Sequence, residues 1–301
     1  MSARAGRLTE IADRVHAHVQ PDGGWCLSNA GLLADGNDAV LVDTAATRAR
    51  ALRLRRAVLR IVPRPPRLLV ATHFHGDHTF GNCVFPEAVV VAHEQARQDI
   101  HTAGLHLTGL WPDVCWGDPE VVVPQLTYRD RTTVHAGTLR AELLHPGPAH
   151  TTGDTAVWLP EQRVLFTGDL VMNGVTPFCP MGSVAGSLAA LRTLRALGAR
   201  TVVPGHGPVG GPELLDVNEG YLLRLQRLAA DGLAAGLGPL ETAREAGPGP
   251  YAGLLDSERL VPNLHRAFHE ALGGRPGDPL DIPALFKEMT RYHGGLPVCR
   301  A

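Results

Sequence analysis

A chain of 301 residues with 44% hydrophobic and 19% charged residues can bury a sizeable core and has the composition of an ordinary globular enzyme. Its formal net charge of -2 offers no basic field to a nucleic-acid backbone, and no apolar run approaches the ~20 residues of a membrane span. Five scattered cysteines without a Cys-x-x-Cys pair, and an N-terminus lacking an apolar leader core, point to reduced thiols and a cytoplasmic location, with neither nucleic acid nor membrane as partner.

The first half reads as short strands broken by turns. Strands are expected over 11–19, 25–33 and 39–42, with Asp35-Gly36-Asn37 as a hairpin turn. Over 48–61 the apolar residues Leu52, Leu54, Val58 and Ile61 alternate with arginines as in an amphipathic helix, which Pro63, Pro65 and Pro66 stop. A buried strand over 67–71 delivers Thr72 and His73 at its end. Strands follow at 139–144, 156–159 and 164–166, then a helix at 188–197. A last strand at 201–203 runs into Pro204-Gly205-His206-Gly207. Beyond residue 212 the pattern changes to helices alone, at 213–230, 257–272 and 282–291. Two groups of strands with helices between them predict an α/β fold of two sheets packed face to face. The expected division is a catalytic domain over 1–212 and a helical extension over 213–301 that packs on the pocket.

Fifteen histidines are the unusual count, and their placement carries the chemistry. In Thr72-His-Phe-His-Gly-Asp-His78, His73 and His75 stand two apart at a strand end and project to one side. Gly76 lets the chain turn, so Asp77 and His78 face a second point nearby. Three imidazoles and a carboxylate within six residues make a nitrogen and oxygen donor set suited to zinc among several metals. At roughly 5% per fixed residue, four positions over ~300 starts give about 0.002 chance matches, so the motif is specific. Single histidines such as His150 or His206, taken alone, would read as turn residues. The ten that fit no ligand spacing, His93, His101 and His106 among them, read as structural or surface residues, these three being the candidates to approach the pocket.

His-x-His-x-Asp-His after a strand resembles the signature of the metallo-β-lactamase superfamily. Gly147-Pro-Ala-His150-Thr-Thr-Gly-Asp154, Phe166-Thr-Gly-Asp169 and Pro204-Gly-His206-Gly207 resemble its later ligand loops, in the order the family requires. The resemblance covers roughly residues 11 to 210 and implies a four-layer αββα sandwich with a C-terminal helical extension. It also implies a ligand set. His73, His75 and His150 would hold one Zn²⁺; Asp77, His78 and His206 would hold a second; Asp169 would bridge the two. Two dications against Asp77 and Asp169, the residues expected to carry the catalysis, leave a net positive centre that activates water and stabilises an oxyanion. Asp43, after the 39–42 strand, resembles the family aspartate that orients a ligand loop; the plain alternative is a strand-end turn carboxylate.

The fold does not fix the substrate. His75 stands where the flavodiiron branch carries Glu, and no Cys stands at Asp169 or in the ligand loops, as some β-lactamase subclasses require. Nuclease branches usually bring basic surfaces or extra domains. Outside the ligands, Gly23-Gly-Trp-Cys-Leu-Ser-Asn-Ala-Gly31, Leu107-Thr-Gly-Leu-Trp-Pro112, Val175-Thr-Pro-Phe178 with Gly182-Ser-Val-Ala-Gly186, and Tyr251-Ala-Gly-Leu-Leu-Asp-Ser-Glu-Arg-Leu-Val261 with Asn263-Leu-His-Arg266 are similar to the actinorhodin-type aromatic polyketide cyclases. That likeness implies a polyketide thioester, presented on an acyl carrier protein, closed into a further ring by aldol condensation and released by thioester hydrolysis. Trp25, Trp111, Trp116 and Phe178 flank the ligand segments and are expected to wall the substrate pocket; the alternative for each is ordinary core packing. Two other functions fit the motif, a general di-zinc hydrolase of lactones, thioesters or β-lactams and a mononuclear iron sulfur dioxygenase.

Overall fold

The computed structural model describes residues 6–301. A seven-stranded sheet takes β1 (Arg7–Ala12), β2 (Val15–Val19), β3 (Ala30–Asp35), β4 (Asp38–Val42), β5 (Leu68–Val70), β6 (Val89–His93) and β7 (Leu126–Tyr128) in chain order. Strands β1 to β4 pair antiparallel, whereas β4 to β7 pair parallel. Parallel neighbours need crossovers. These hold α1 (Arg48–Val58), the single turn α2 (Gly76–Thr79), and α3 (Glu94–Ala103) with α4 (His106–Leu110). The second sheet contains β8 (Arg131–Ala136), β9 (Leu139–Leu144), β10 (Ala156–Leu159), β11 (Val164–Met172) and β12 (Thr201–His206), lying side by side in that order. Its one parallel pair, β11 with β12, is joined through α5 (Val184–Ala196). Then come α6 (Glu213–Ala234), α7 (Pro239–Ala246), α8 (Leu260–Ala271) and α9 (Ile282–His293). None of these helices is long and apolar enough to cross a membrane.

Period-two alternation sorts the strand residues into layers. Val40 and Val42 of β4, with Val70 and Val91, share a cluster with Leu139, Leu143, Val157 and Phe166 of the second sheet. Leu41 and Leu69 turn the other way and meet Leu54 and Val58 of α1 and Ala96 of α3. Leu165 and Val202, on the outer face of the second sheet, cluster with Leu191 of α5 and Leu215 and Leu225 of α6. The outcome is the expected helix–sheet–sheet–helix order.

Three local features differ from the sequence reading. Residues 11–19 are not one strand: Arg14 takes a positive φ of 62° and turns the chain back, so β1 and β2 form a hairpin. The strand expected from residue 25 starts only at Ala30. Before it, Cys26 has φ 66° and the loop is tied to the end of β12 by Asn29 N donating to Gly205 O at 2.7 Å. The start of α6 lies at the expected boundary, but the core does not divide there, because α6 and α8 residues belong to the same cluster as β11 and β12.

A shared core has a cooperative consequence. Leu225→Ala, at a fully buried α6 position, should cost about 2–5 kcal/mol. Urea unfolding followed by tryptophan fluorescence and by far-UV circular dichroism should shift together as one transition. Two separated transitions would show that the helices after residue 212 fold apart from the sandwich.

Candidate metal centre

The ends of β5, β11 and β12 and the loop after β9 meet at one edge of the sandwich. The parallel register sets Gly168 beside Pro204 and Met172 beside His206, which brings Asp169 and His206 together. Close approach is possible because small residues stand at the contacts. A Cβ on Gly205 would lie 1.9 Å from an Asp169 carboxylate oxygen, and one on Gly168 would lie 2.6 Å from Thr72 Oγ1. Gly168 also has φ 50°, a region that L residues rarely adopt.

Two groups of donors result. His73, His75, His150 and Asp169 form one; Asp77, His78 and His206 form the other; within each, ligand atoms lie inside 4.8 Å of one another. His73 Nε2 is 3.0 Å from His75 Nδ1, and His150 Nε2 is 2.9 Å from the same atom. Three ring nitrogens converging on one point suit a tetrahedral ion, whose donors at about 2.0–2.1 Å would be about 3.3 Å apart. Asp169 reaches both groups, its Oδ2 3.5 Å from His150 Nε2 and its Oδ1 3.0 Å from His78 Nε2. Asp77 Oδ2 is 3.2 Å from His206 Nε2. His78 Nε2 and Asp169 Oδ1 are buried and have no well-directed hydrogen bond, as donor atoms awaiting a cation would be.

The outer nitrogens are fixed as well. His150 Nδ1 donates to Phe178 O, and His206 Nδ1 donates to Gly23 O at 2.8 Å, which turns each Nε2 toward the centre. His78 Nδ1 lies 2.8 Å from Asp43 Oδ2; that carboxylate also accepts from Thr72 N at 2.8 Å and Thr72 Oγ1 at 2.7 Å. Thr72 Oγ1 in turn sits 3.0 Å from His73 Nδ1. Asp43 therefore touches one histidine of the second group directly and one of the first through Thr72. The remaining ring, His75, has Met181 Sδ 3.1 Å from its Nε2.

Protonation differs between the groups. Burial pushes His73 and His75 well below the ordinary imidazole range, with further lowering by neighbouring histidines, and burial lowers His150 too. Burial also acts against charge on His206, but Asp169 and Asp77 outweigh it and hold the ring at about 9. His78 is likewise raised, by Asp169, Asp43 and Asp77 against burial. Asp77 and Asp169 stay ionised, burial being outweighed by the facing histidines. Without metal, protons on His78 and His206 balance the carboxylates.

A cavity of about 550 Å³ opens over both groups, with His75, Asp77, Asp169 and His206 in its wall. Trp25 and Phe178 line it, with Phe286 of α9 beside both at 6.2 Å between ring centroids. Trp111 and Trp116 do not. Trp111 packs behind Trp25 at 5.5 Å between ring centroids and donates to Pro297 O, while Trp116 packs on Phe80 at 6.0 Å. They hold the wall from behind and offer no face to a substrate. Of the other histidines, His106 lines the cavity, His93 caps α3 and stacks on His145 at 3.8 Å, and His101 is exposed. The sequence reading passed over Arg259 and Met181, and it placed no α9 residue at the cavity. The only forward signal was the 251–261 segment that contains Arg259.

The family model described as the metallo-beta-lactamase superfamily matches residues 23–206. The 2,4-dinitroanisole O-demethylase subunit alpha of Nocardioides sp. (strain JS1661) is 31% identical over 67% of this chain, and the chain spans only 55% of that relative's length. The hydroxyacylglutathione hydrolase of Rhodospirillum rubrum is 29% identical over 71% of this chain and 75% of its own. Among solved structures, a metallo-beta-lactamase from Pontibacter korlensis matches with a TM-score of 0.58 at 25% identity, covering 72% of this chain and all but 1% of that chain at 99%.

Two outcomes test this geometry. Asp43→Ala frees His78 and Thr72 and should weaken metal binding about 10- to 100-fold, read by competition with a chromogenic chelator. Metal binding must also displace the protons on His78 and His206, so affinity should fall by about tenfold or more per pH unit below the His206 value of about 9. Calorimetry in buffers of different ionisation enthalpy reads the released protons directly; no release at pH 7 would contradict the assignment.

Proposed function

The chain belongs to the metallo-beta-lactamase superfamily, and on that premise we propose that it is a di-zinc hydrolase acting on the thioester of an aromatic polyketide, closing a further ring and releasing the product. The observation that carries this reading is the apolar cavity. Its walls combine Trp25, Phe178 and Phe286 with Leu107 and Leu110, directly over Asp77, Asp169 and His206. About 550 Å³ suits a bicyclic acyl group, and the aromatic walls offer a planar substrate more than a short polar one would use.

The donor atoms fit the implied metal, being nitrogen and carboxylate oxygen converging from rigid strand ends. Two bound divalent ions would polarise a carbonyl and lower the pKa of water. The chain's own residues position the reaction. Trp25 and Phe178, 5.4 Å apart edge to face, restrict how an aromatic acyl group enters. Remote contact with these walls lowers the entropic cost of aligning the scissile carbonyl, so small substrates forgo it. Hydrolysis consumes one water and returns an acid and a thiol; aldol condensation joins an enolisable carbon to a ketone carbon and expels water. Presentation on an acyl carrier protein and a cytoplasmic location belong to the same proposal. One relative is a hydroxyacylglutathione hydrolase, which favours thioester chemistry over other acyl groups as the point of departure.

Zinc-loaded enzyme should contain about two ions per chain by elemental analysis, and Asp169→Asn should weaken binding at one of them and reduce turnover by about 100-fold or more. One iron and no zinc after native expression would replace this reading with the iron dioxygenase. A bicyclic polyketide thioester should be hydrolysed faster than acylglutathione and yield a product with an added ring by mass spectrometry. Efficient cleavage of a simple lactone, β-lactam or glutathione thioester, without ring closure on any polyketide mimic, would leave the general hydrolase in its place.

A further inference from the structure

Arg259 is a cation where the fold alone would not place one. It immediately precedes α8, is 2% exposed, and lines the same cavity as Asp77, Asp169 and His206. Its guanidinium lies over the Trp25 ring at 4.0 Å and faces Phe178 at 5.7 Å, so it shares the aromatic wall. Around it the cavity is mostly apolar, and its other lysine or arginine side chain, Lys287, is the chain's single lysine and is exposed at the rim. A buried guanidinium is costly unless its donors are satisfied.

The partners of Arg259 fall short. One terminal nitrogen donates to Thr176 O at 3.0 Å, with Met172 Sδ at 3.2 Å, a weak acceptor. The other pairs with Asp256 Oδ2 at 2.9 Å. Nε has no partner at all. Asp256 is itself held unusually: its backbone is left-handed, with φ 57°, and burial raises its carboxyl above the ordinary range against the pull of Arg259. With one carboxylate partner and Nε unbonded, the guanidinium keeps donor capacity for a third group. Glu258, the next residue, is spoken for, since it accepts from Trp25 Nε1 at 2.6 Å. Trp25 is thereby clamped by Glu258 at its edge and Arg259 on its face.

We propose that Arg259 is the specificity-determining residue for a planar oxyanion, carboxylate or enolate, on an aromatic substrate held in the cavity walled by Trp25, Phe178 and Phe286. The guanidinium binds such a group with charge-assisted hydrogen bonds while the ring system packs against those aromatic edges. This rests on the reading of the cavity as a site for aromatic acyl substrates and names the substrate feature it selects. A polyketide thioester supplies that feature as the enolate of a β-diketone; an aromatic acid product supplies it as a carboxylate.

The test is calorimetric binding to the zinc-loaded enzyme at pH 8. The probes are naphthalene-2-carboxylate, the neutral naphthalene-2-carboxamide and the enolate of indane-1,3-dione. Arg259→Met should weaken an anionic probe about 10- to 100-fold, the range for a charge-assisted contact, and change the amide by less than about threefold. Loss for the carboxylate alone assigns the subsite to a carboxylate, and loss for the enolate alone assigns it to an enolate. Asp256→Asn keeps the left-handed turn, which Asn tolerates, and removes the competing charge, so it should tighten the anionic probe about three- to tenfold. This second variant decides the matter if the first does not fold. Unchanged anion affinity in folded Arg259→Met, or unchanged or weaker affinity in Asp256→Asn, overturns the proposal. Thioester turnover is scored separately: a selective loss of anion binding in an enzyme that cleaves no thioester would retire the hydrolase reading and leave the Arg259 subsite standing.

Discussion

Asp169 is the group on which the rest of the site depends. A carboxylate that is 8% exposed, among four histidines and a second carboxylate, is tolerable only if positive charge reaches it from both sides. His78 and His206 supply that charge as protons in the metal-free protein, and both are held up by the same carboxylates. Divalent ions exchange for those protons. The backbone is arranged around this one side chain: Gly205 leaves it room, the β11–β12 register sets His206 beside it, and Thr72 closes on Gly168 from the first sheet. An alanine at Gly205 would occupy the space of the carboxylate oxygen, so the glycine is an electrostatic requirement expressed as a steric one.

A centre this polar meets a cavity that is largely apolar, and the two come from different parts of the chain. Strand ends provide the donors. The segments after residue 212 provide Phe286, Ile282 and Arg259 to the wall, and their helices are rooted in the outer core of the second sheet through Leu215, Leu225 and Leu264. The tail closes the arrangement: Pro297 O accepts from Trp111, and Arg300 pairs with Asp22 and donates to Trp25 O. A rigid roof over a charged floor favours a substrate that is flat and apolar at one end and carries oxygen at the other.

Much of this was legible in the sequence, for physical reasons. Strands β9 and β10 are bounded as the sequence predicts because alternating or continuous apolar runs are cut off by turn residues; α1 starts where its regular apolar face predicts but ends at Val58, three residues short of Ile61. The donors were legible because a metal site needs particular residue types at strand ends beside glycine, which leaves a pattern in one dimension. The region 89–136 was not. Its strands β6 and β7 are short, and α3 and α4 are polar with few buried positions, so neither period is strong. The aromatic wall shows the limit most clearly. Trp25 and Trp111 have equally suggestive positions in the chain, yet Trp111 lies one layer behind. Which ring faces the cavity depends on tail contacts such as Pro297, nearly two hundred residues away. Arg259 was hidden for the same reason, since an arginine at a helix start looks like a surface residue until Trp25 is found beneath it.

Anomalous diffraction at the zinc edge from zinc-soaked crystals tests the shared role of Asp169 most directly. The expected map has two peaks about 3.5–4 Å apart, one within His73, His75 and His150 and one within Asp77, His78 and His206, each in contact with an Asp169 oxygen. A single peak at full occupancy under zinc excess, or two peaks with Asp169 touching only one, would contradict a paired centre organised around that carboxylate.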